Sequence, residues 1–153
     1  LQTIICDSQS VKNVQSSEDV GYDGHKKVNG KKRHISVDSV GNLIAVLVSK
    51  ANMHDSKCLD ELLYRAKAKY KNLKIVLLDK AYRGLEAVGI KHSMDIIISN
   101  NYKLSTNIRW KVERSFSWFN WNRRMAKNYE KLSSTMEAMC YISFINTKLK
   151  FIS

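Results

Sequence analysis

The stretch that decides the fold is Asn107-Ile-Arg-Trp-Lys-Val-Glu-Arg-Ser-Phe-Ser-Trp-Phe-Asn-Trp-Asn-Arg-Arg124. Read as an α-helix, in which successive residues turn by about 100°, it carries two apolar stripes with a polar row between them. The first stripe is Ile108, Val112, Phe116 and Phe119, the second is Trp110, Trp118 and Trp121, and the row is Arg109, Glu113, Ser117, Asn120 and Arg124. Because a helix that is apolar on two sides is usually buried or nearly so, the stretch predicts a long helix packed into the core.

The carboxylate of Glu113 has two interpretations. Arg109 precedes Glu113 by one helical turn, so the two side chains can form an ion pair. One interpretation is a buried pair that fixes helix packing, because a buried carboxylate needs a cation. The other is that Glu113 is directed at a metal site. The helix alone does not decide between them.

The segments around this helix predict an α/β fold. Apolar runs predict five strands, near residues 1–6, 33–38, 43–48, 73–78 and 94–98, with the second and third forming an antiparallel hairpin that turns at Asp38. Further helices are predicted at residues 55–70 and from Ser134, where Ser134-Thr-Met-Glu137 matches a capping box. Three successive strands followed by alternating helices and strands predict one mixed sheet with helices on its faces.

Composition points to a polyanionic partner. The chain has 153 residues, enough for one domain with a full core. Its 26 Lys and Arg residues against 14 Asp and Glu give a formal charge of +12. Nucleic acid is the leading partner, an anionic membrane surface is second, and a basic surface with no such partner remains an alternative. We expect no membrane insertion, because no apolar run is long enough to cross a bilayer.

Two acids follow predicted strands. Asp7 follows the first strand and Asp79 follows the fourth. Ligands of open α/β sheets bind beyond the carboxyl ends of parallel strands, so parallel neighbours would bring the two carboxylates side by side, with Glu113 completing a group of three. Such oxygens suit Mg²⁺, and two such ions can activate a water or a 3′-hydroxyl. A turn-capping role for Asp7 is the alternative.

Residues 11–32 predict a long polar loop. Within and just after it, Gly21-Tyr-Asp-Gly-His-Lys-Lys27 and Gly30-Lys-Lys-Arg33 place glycines beside cations. Glycine lets the backbone approach a ligand closely, and cations suit phosphates. The alternative is a mobile, solvated basic loop.

Several segments, taken together and in this order, resemble the DDE transposases of bacterial insertion sequences. They are Cys6-Asp-Ser-Gln-Ser-Val-Lys12, Gly21-Tyr-Asp-Gly-His-Lys-Lys27, Lys32-Arg-His34, Leu78-Asp-Lys-Ala-Tyr-Arg-Gly84 and Arg109-Trp-Lys-Val-Glu-Arg-Ser-Phe116, with Asn122-Arg-Arg124 and Tyr129-Glu130 after them. The resemblance implies a ribonuclease-H-like fold, a mixed five-stranded sheet with helices on both faces, over residues 1–153 as a single catalytic domain. Because the chain opens on Leu1 in a strand-like run, we expect it to be a fragment of a longer protein.

The resemblance also implies the chemistry. Asp7, Asp79 and Glu113 would form the metal-binding catalytic triad, holding two Mg²⁺ ions or Mn²⁺ as a substitute, and Arg109 would position a phosphate or orient Glu113. The implied reaction is cleavage of DNA at transposon ends followed by strand transfer to target DNA. It would be carried out by a homodimer in a synaptic complex, in a nucleoid-associated protein of the bacterial cytoplasm. The cations expected to contact DNA are Lys12, Lys26, Lys27, Lys31, Lys32, Arg33, Arg83, Arg123 and Arg124.

The sequence departs from the family pattern at two positions. The signature tyrosine falls at Thr106 and the signature lysine at Asn120. The N-terminal helical region that recognises element ends in the family is also not in this sequence. Two alternatives to an active transposase therefore stay open: a non-catalytic DNA-binding remnant, and a ribonuclease-H-like nuclease acting on another nucleic acid.

Overall fold

The strands and helices follow the predicted order. The computed structural model describes residues 1–98 and 102–152, with the side chains of residues 102–109 outside the described part. The strands are β1 (Thr3–Lys12), β2 (Gly21–Asp23), β3 (Val28–Asp38), β4 (Leu43–Lys50), β5 (Ile75–Leu78) and β6 (Asp95–Ile98). The helices are α1 (Asp55–Lys69), α2 (Glu86–Lys91), α3 (Tyr102–Trp121) and α4 (Ser133–Ile152), and short 3₁₀ turns follow β5 and α3.

All the described strands belong to one mixed sheet. β1 lies at its centre, antiparallel to β3 on one side and parallel to β5 on the other, and β6 continues the parallel half beyond β5. β4 pairs antiparallel with β3, and β2 pairs with the first residues of β3. The predicted mixed sheet is confirmed, and β2 is a short sixth strand that the sequence did not indicate.

The prediction was wrong about where β1 ends and about the loop that follows it. β1 continues through Asp7 to Lys12, and β2 and the start of β3 occupy much of the predicted loop. The polar residues after Asp7 remain in a strand because β3 pairs with them as far as Lys12 and Gly30. Gly30 allows this close pairing, since a Cβ there would lie 1.9 Å from the carbonyl oxygen of Val11.

Helices cover both faces of the sheet. α3 and α4 pack on one face, over a core that includes Ile5, Val11, Ile35, Val112 and Phe119. α1 and α2 pack on the other, over a core that includes Ile4, Cys6, Leu62, Leu73 and Val76. Successive residues of β1 therefore alternate between the two cores, as the side chains of a strand do. Within the described residues, no helix is long and apolar enough to span a bilayer.

Side chains from the helices bond the backbone of the outer strand β4. The Val48 N–H donates to a carboxylate oxygen of Glu137 at 2.9 Å, and the Val46 N–H donates to the Tyr141 hydroxyl at 3.1 Å. Arg65 of α1 donates to the Val46 carbonyl at 2.9 Å and to Glu137 at 2.8 Å. The capping box predicted for α4 is therefore wrong. The carboxylate oxygens of Glu137 accept hydrogen bonds from the Val48 N–H and from Arg65 instead.

Candidate active site

The parallel pairing of β1 with β5 carries Asp7 and Asp79 toward the same end of the two strands. β1 and β5 pair in register, with Ile5 opposite Leu77 as the last paired position. Two residues further along each strand the chain reaches Asp7 and Asp79. Asp79 keeps an extended backbone, with φ −73° and ψ 159°, so the strand direction continues through it. The predicted neighbourhood of these two aspartates therefore follows from the strand register.

Both aspartates belong to the face of the sheet that α3 covers. Ile5 and Leu77 contact the core under α3 and α4. Asp7 follows Ile5 by two residues, and Asp79 follows Leu77 by two. Because side chains two residues apart in a strand share a face, both carboxylates are on the α3 side.

Glu113 occupies the flank of α3 that faces β1. The Gln9 side-chain amide contacts the Asn120 side-chain oxygen at 3.4 Å, which fixes that flank of α3 beside β1. Glu113 precedes Asn120 by two helical turns, so it is on the same flank, about 10 Å back along the axis. Lys111, on the opposite flank, donates to the turn between β3 and β4. Glu113 is exposed to solvent on the same side of the sheet as Asp7.

The three acids do not form a closed metal-binding group. One oxygen of Asp7 accepts from the Ser8 N–H at 2.7 Å, and one oxygen of Asp79 accepts from the Lys80 N–H at 2.6 Å. Across residues 1–98 and the described side chains of 110–152, no three His, Cys, Asp or Glu residues lie close enough together to hold a metal ion. The metal-binding role of the triad therefore stays a prediction.

The exposure of Glu113 bears on one of its two interpretations, the buried ion pair, and leaves the metal-site interpretation a prediction. A buried ion pair with Arg109 requires a buried carboxylate, and Glu113 is exposed. The buried-pair interpretation is wrong for this reason. The side chain of Arg109 itself lies outside the described residues, so its predicted role near the acids is not tested.

The donor chemistry of the aspartate pair fits a divalent cation. Mg²⁺ prefers oxygen ligands and is usually bound through one or two carboxylates together with water and substrate phosphates. Asp7, within β1, and Asp79, directly after the neighbouring strand β5, supply two carboxylates. A third carboxylate in direct contact is not required for such a site when DNA supplies phosphate oxygens.

Two buried groups lie behind the aspartate pair. Tyr82 is buried and hydrogen-bonds to Ser8, and burial, together with the negative charge of Asp7, raises the pKa of its hydroxyl despite that bond. Burial, and secondly the charge of Asp7, also raises the pKa of the Cys6 thiol. Both shifts favour the protonated forms of the Tyr82 hydroxyl and the Cys6 thiol.

Arg33 was predicted to contact DNA, and the structure contradicts this. Arg33 is fully buried on the α3 side of β3. Its guanidinium donates to the Met125 carbonyl at 2.9 Å and to the Gln9 side-chain oxygen, and it stacks on the Phe119 ring. Burial lowers its pKa, although Cys140 acts in the opposite direction. A guanidinium enclosed in this way cannot reach a phosphate.

Lys31 was also predicted as a DNA contact and is likewise buried. Its ammonium donates to the Lys131 carbonyl at 3.2 Å and to the Ser133 hydroxyl at 3.1 Å. Lys31 and Arg33 are two residues apart in β3 and therefore share its covered face. The prediction failed because it placed both residues in or beside a loop, where every cation would be exposed.

The other predicted cations remain accessible. Lys12, Lys26, Lys27, Arg83, Arg123 and Arg124 are exposed, and Lys32 is partly exposed and bonds Asp55 at 3.3 Å. Arg83 follows the short turn after Asp79, and Arg124 pairs with Glu130 at 2.6 Å. Lys12 is bonded through its carbonyl to the Asn128 N–H, near the segment that follows α3. Their contact with DNA stays a prediction.

Gln9 is a site residue that the sequence analysis missed. It bonds Arg33 and contacts Asn120, and so links α3 to the strand that carries Asp7. The sequence did carry a signal for Gln9. Ile5, Asp7, Gln9 and Val11 occur at every second position, as residues on one face of a strand do. Its partner on α3 is Asn120, a member of the polar row of that helix.

The fold belongs to the ribonuclease-H-like class. The chain superposes with a TM-score of 0.61 on a chain of the simian T-cell lymphotropic virus intasome, with 12% identity, covering 94% of this chain and 46% of that one. It superposes with a TM-score of 0.55 on the catalytic core domain of BIV integrase, with 8% identity, covering 94% of this chain and 81% of that one. This chain therefore spans less than half of the intasome chain, and at these identities the likeness is one of fold.

The sequence itself identifies the family. A family described as Transposase DDE domain matches residues 1–99, and a second family with the same description matches residues 102–150. The chain belongs to the transposase DDE domain family, whose enzymes act in DNA transposition and recombination. No curated protein matches it.

Proposed function

We propose that this chain is the catalytic domain of a DDE transposase of the bacterial insertion-sequence type, which cleaves DNA at transposon ends and joins the freed 3′ end to target DNA. One observation carries the proposal. β1 and β5 pair in parallel with Ile5 opposite Leu77, and Asp7 and Asp79 each follow these residues by two positions, on the face whose core α3 covers. Asp79 directly follows the carboxyl end of β5, and open α/β sheets bind their ligands beyond the carboxyl ends of their parallel strands.

The acids would hold the cations and the basic residues would hold the DNA. Asp7 and Asp79 would bind two Mg²⁺ ions, or Mn²⁺ in their place, with Glu113 approaching from α3. When bound, such ions supply the activation of a water or a 3′-hydroxyl and the stabilisation of the leaving oxygen. Arg109 would position a phosphate or orient Glu113. The exposed cations, among them Lys12, would bind the DNA backbone and set its direction across the acids.

The proposed partners are transposon-end DNA, target DNA and a second copy of the chain in a synaptic complex. The formal charge of +12 supports the DNA partners. The similar simian T-cell lymphotropic virus chain is part of an intasome, which supports an assembly on DNA.

The decisive experiment measures cleavage and strand transfer of end-containing DNA with Mg²⁺ or Mn²⁺. Asp7→Asn, Asp79→Asn and Glu113→Gln are each expected to lower the rate by about a hundredfold or more. The matched control is Asp95→Asn, because Asp95 is an exposed acid at the opposite end of the parallel strands, paired with Ile75. Activity that is equal in wild type and in the three variants would refute the catalytic assignment.

Metal binding has a readout that does not depend on activity. Mn²⁺ is expected to raise the melting temperature of the wild-type chain and of Asp95→Asn, because a ligand that binds the folded state stabilises it. The double variant Asp7→Asn with Asp79→Asn should show no such rise. A rise of equal size in that variant would place the cation elsewhere.

The second candidate function is a DNA-binding remnant without turnover. It is favoured by the lack of a closed three-acid group among the described residues. A remnant would bind DNA in a salt-dependent way, would not cleave it at any Mg²⁺ or Mn²⁺ concentration, and would show no metal-linked rise in melting temperature. Cleavage of RNA–DNA duplexes without end specificity would instead indicate the ribonuclease-H-like nuclease.

A further inference from the structure

Asp23 is a buried acid at the base of an exposed basic turn. It is the last residue of β2 and is 8% exposed, whereas the four residues of the turn to β3, residues 24–27, are all exposed. The turn carries the cations Lys26 and Lys27. Asp23 belongs neither to the aspartate pair nor to the two hydrophobic cores, so its burial beside these cations points to a separate role.

Both oxygens of the Asp23 side chain accept hydrogen bonds. One oxygen accepts from the backbone N–H of His25 at 3.0 Å and from that of Lys26 at 3.1 Å, and these bonds fix the course of the turn. The other oxygen accepts from the Ser10 hydroxyl. This last bond ties the turn to β1, the strand that carries Asp7, although β3 lies between β1 and β2 in the sheet.

The turn has a backbone conformation that depends on such bonds. Lys27 has a φ of +53°, in the left-handed region that residues other than glycine rarely adopt. Backbone strain of this kind persists only where the surrounding contacts impose it. The two bonds that Asp23 accepts from the turn are contacts of this kind. Without them we expect the turn to sample several conformations.

The charge of Asp23 does not by itself favour an anionic ligand. Burial acts to raise its pKa, but the hydrogen bonds from Ser10 and from the Lys26 N–H, the charge of Lys32 and the hydrogen bond from the His25 N–H together lower it. The side chain is therefore a carboxylate at neutral pH, and its negative charge weakens the attraction of the turn for a phosphate. A contribution of Asp23 to DNA binding has to come from geometry.

We propose that Asp23 is a positioning residue for DNA, which holds Lys26 and Lys27 in an arrangement that lets both contact the phosphate backbone. The proposal rests on the proposed function, in which these two lysines bind DNA. Binding to a turn that is already ordered avoids the entropic cost of ordering it in the complex. Because Asp23 is buried, it acts through the turn and does not touch the nucleic acid.

Two substitutions with the same change of charge test the proposal. Asp23→Ala removes the acceptors, whereas Asp23→Asn keeps one oxygen for the His25 and Lys26 N–H groups and gains an amide that can donate to the Ser10 hydroxyl. Charge alone predicts that both variants bind labelled duplex DNA equally, and slightly more tightly than the wild type. We expect Asp23→Ala to bind at least about fivefold more weakly than Asp23→Asn at the same salt concentration. Asp19→Asn, at an exposed acid before β2, is the control and should not weaken binding.

A double-mutant cycle separates positioning from a general loss of stability. In a chain that already carries Lys26→Gln and Lys27→Gln, Asp23→Ala should have no further effect on DNA affinity, because the side chains through which it acts are gone. Circular dichroism identifies a temperature at which every variant is folded. Ser10→Ala removes only the bond to β1 and serves as the milder variant if Asp23→Ala does not fold. It should weaken DNA binding in the wild-type background and have no effect without the two lysines.

Two results would overturn this proposal and leave the proposed function standing. One is equal DNA affinity of Asp23→Ala and Asp23→Asn. The other is a loss of affinity on Asp23→Ala that persists when Lys26 and Lys27 are replaced, since the effect would then not pass through the turn. A wild-type chain that does not bind DNA at all would instead refute the proposed function, and the positioning role with it.

Discussion

Arg33 carries a positive charge into the interface between the sheet and α3. Its guanidinium is held by the Met125 carbonyl, by Gln9 and by the face of Phe119. Because these partners come from β1, from α3 and from the segment after α3, one side chain joins three parts of the fold. Its value to the molecule is structural.

We expect Arg33→Ala to lower the free energy of unfolding by about 3 kcal/mol or more, because it leaves a cavity and two unpaired acceptors. Urea denaturation at neutral pH measures the loss. Lys26→Ala is the control, since Lys26 is exposed in the turn between β2 and β3, and its effect should be within about 0.5 kcal/mol. Equal small effects of both substitutions would show that Arg33 does not support the core.

His34 makes the stability depend on pH. It is buried and bonded to the Ser49 hydroxyl at 3.0 Å, and burial, followed by the charge of Lys32, lowers its pKa from 6.5 to about 3. Below pH 6.5 the unfolded chain takes up a proton at this histidine that the folded chain does not accept until about pH 3. This contribution to stability is therefore complete above the unfolded pKa and is lost as the pH falls between the two values.

We expect the free energy of unfolding of the wild type to decrease between pH 6 and pH 4.5 by about 1.4 kcal/mol more per pH unit than that of His34→Gln. Urea denaturation across this pH range measures both slopes, and the carboxylates that begin to titrate near its lower end are the same in both proteins, so the difference between the slopes reports His34. His25→Gln is the control, because His25 is exposed. A wild-type slope that matches that of His34→Gln would refute a buried neutral imidazole.

Strand β3 depends on one glycine where β1 and β2 both pair with it. Gly30 is opposite Lys12 in β1 and opposite Gly21 in β2. A Cβ at Gly30 would lie 1.9 Å from the Val11 carbonyl oxygen and 2.9 Å from the Asn13 nitrogen, and both are backbone atoms that cannot rotate away. The three strands therefore have to separate to accommodate any side chain here.

We expect Gly30→Ala to destabilise the fold by about 2 kcal/mol or more, or to prevent soluble expression, because the added methyl group forces the strand ladder apart. Gly24→Ala is the matched control, since a Cβ at Gly24 meets nothing within 4 Å. Thermal unfolding of both variants checks this. Equal melting temperatures would mean that the strands shift without cost.

Strands and helices were predicted correctly from the sequence where their buried residues recur with a regular spacing. The hairpin of β3 and β4, the apolar β5 and the two-sided α3 were predicted because their apolar residues recur with a clear period. The second half of β1, from Ser8 to Lys12, was missed because its residues are polar and its strand character comes from pairing with β3. Pairing between strands that are far apart in the sequence cannot be predicted from the spacing of apolar residues within one segment.

The candidate site was predictable to a similar extent. The order of the elements was enough to bring Asp7 and Asp79 to adjacent strands. The distance from these aspartates to Glu113 depends on how α3 packs across the sheet, which no local pattern reports. The burial of Lys31 and Arg33 could be deduced only once β3 was known to begin before them, since strand alternation then assigns their face.

The charge of the whole molecule predicts how it should bind DNA. Exposed cations release counterions when they contact phosphates, so the logarithm of the affinity should fall linearly with the logarithm of salt concentration. If the turn between β2 and β3 contacts DNA as proposed, Lys26→Gln together with Lys27→Gln should reduce that slope by about 2. Fluorescence anisotropy with labelled duplex DNA over a salt series measures it.

Lys31→Gln is the control for this experiment, because its ammonium is enclosed by Lys131 and Ser133. The slope for this variant should match that of the wild type at a temperature where both are folded. A slope that changes with Lys31 and not with the turn lysines would reverse the assignment of which cations face the nucleic acid.

The bonds between the helices and β4 have a consequence for how copies of this molecule can meet. An edge strand whose backbone N–H and C=O groups are unpaired can pair with a strand of another chain, and repeated pairing of this kind leads to aggregation. Here Glu137, Tyr141 and Arg65 already occupy backbone groups of Val46 and Val48 that such pairing would use. Molecules at high local concentration are therefore less able to join their sheets through β4.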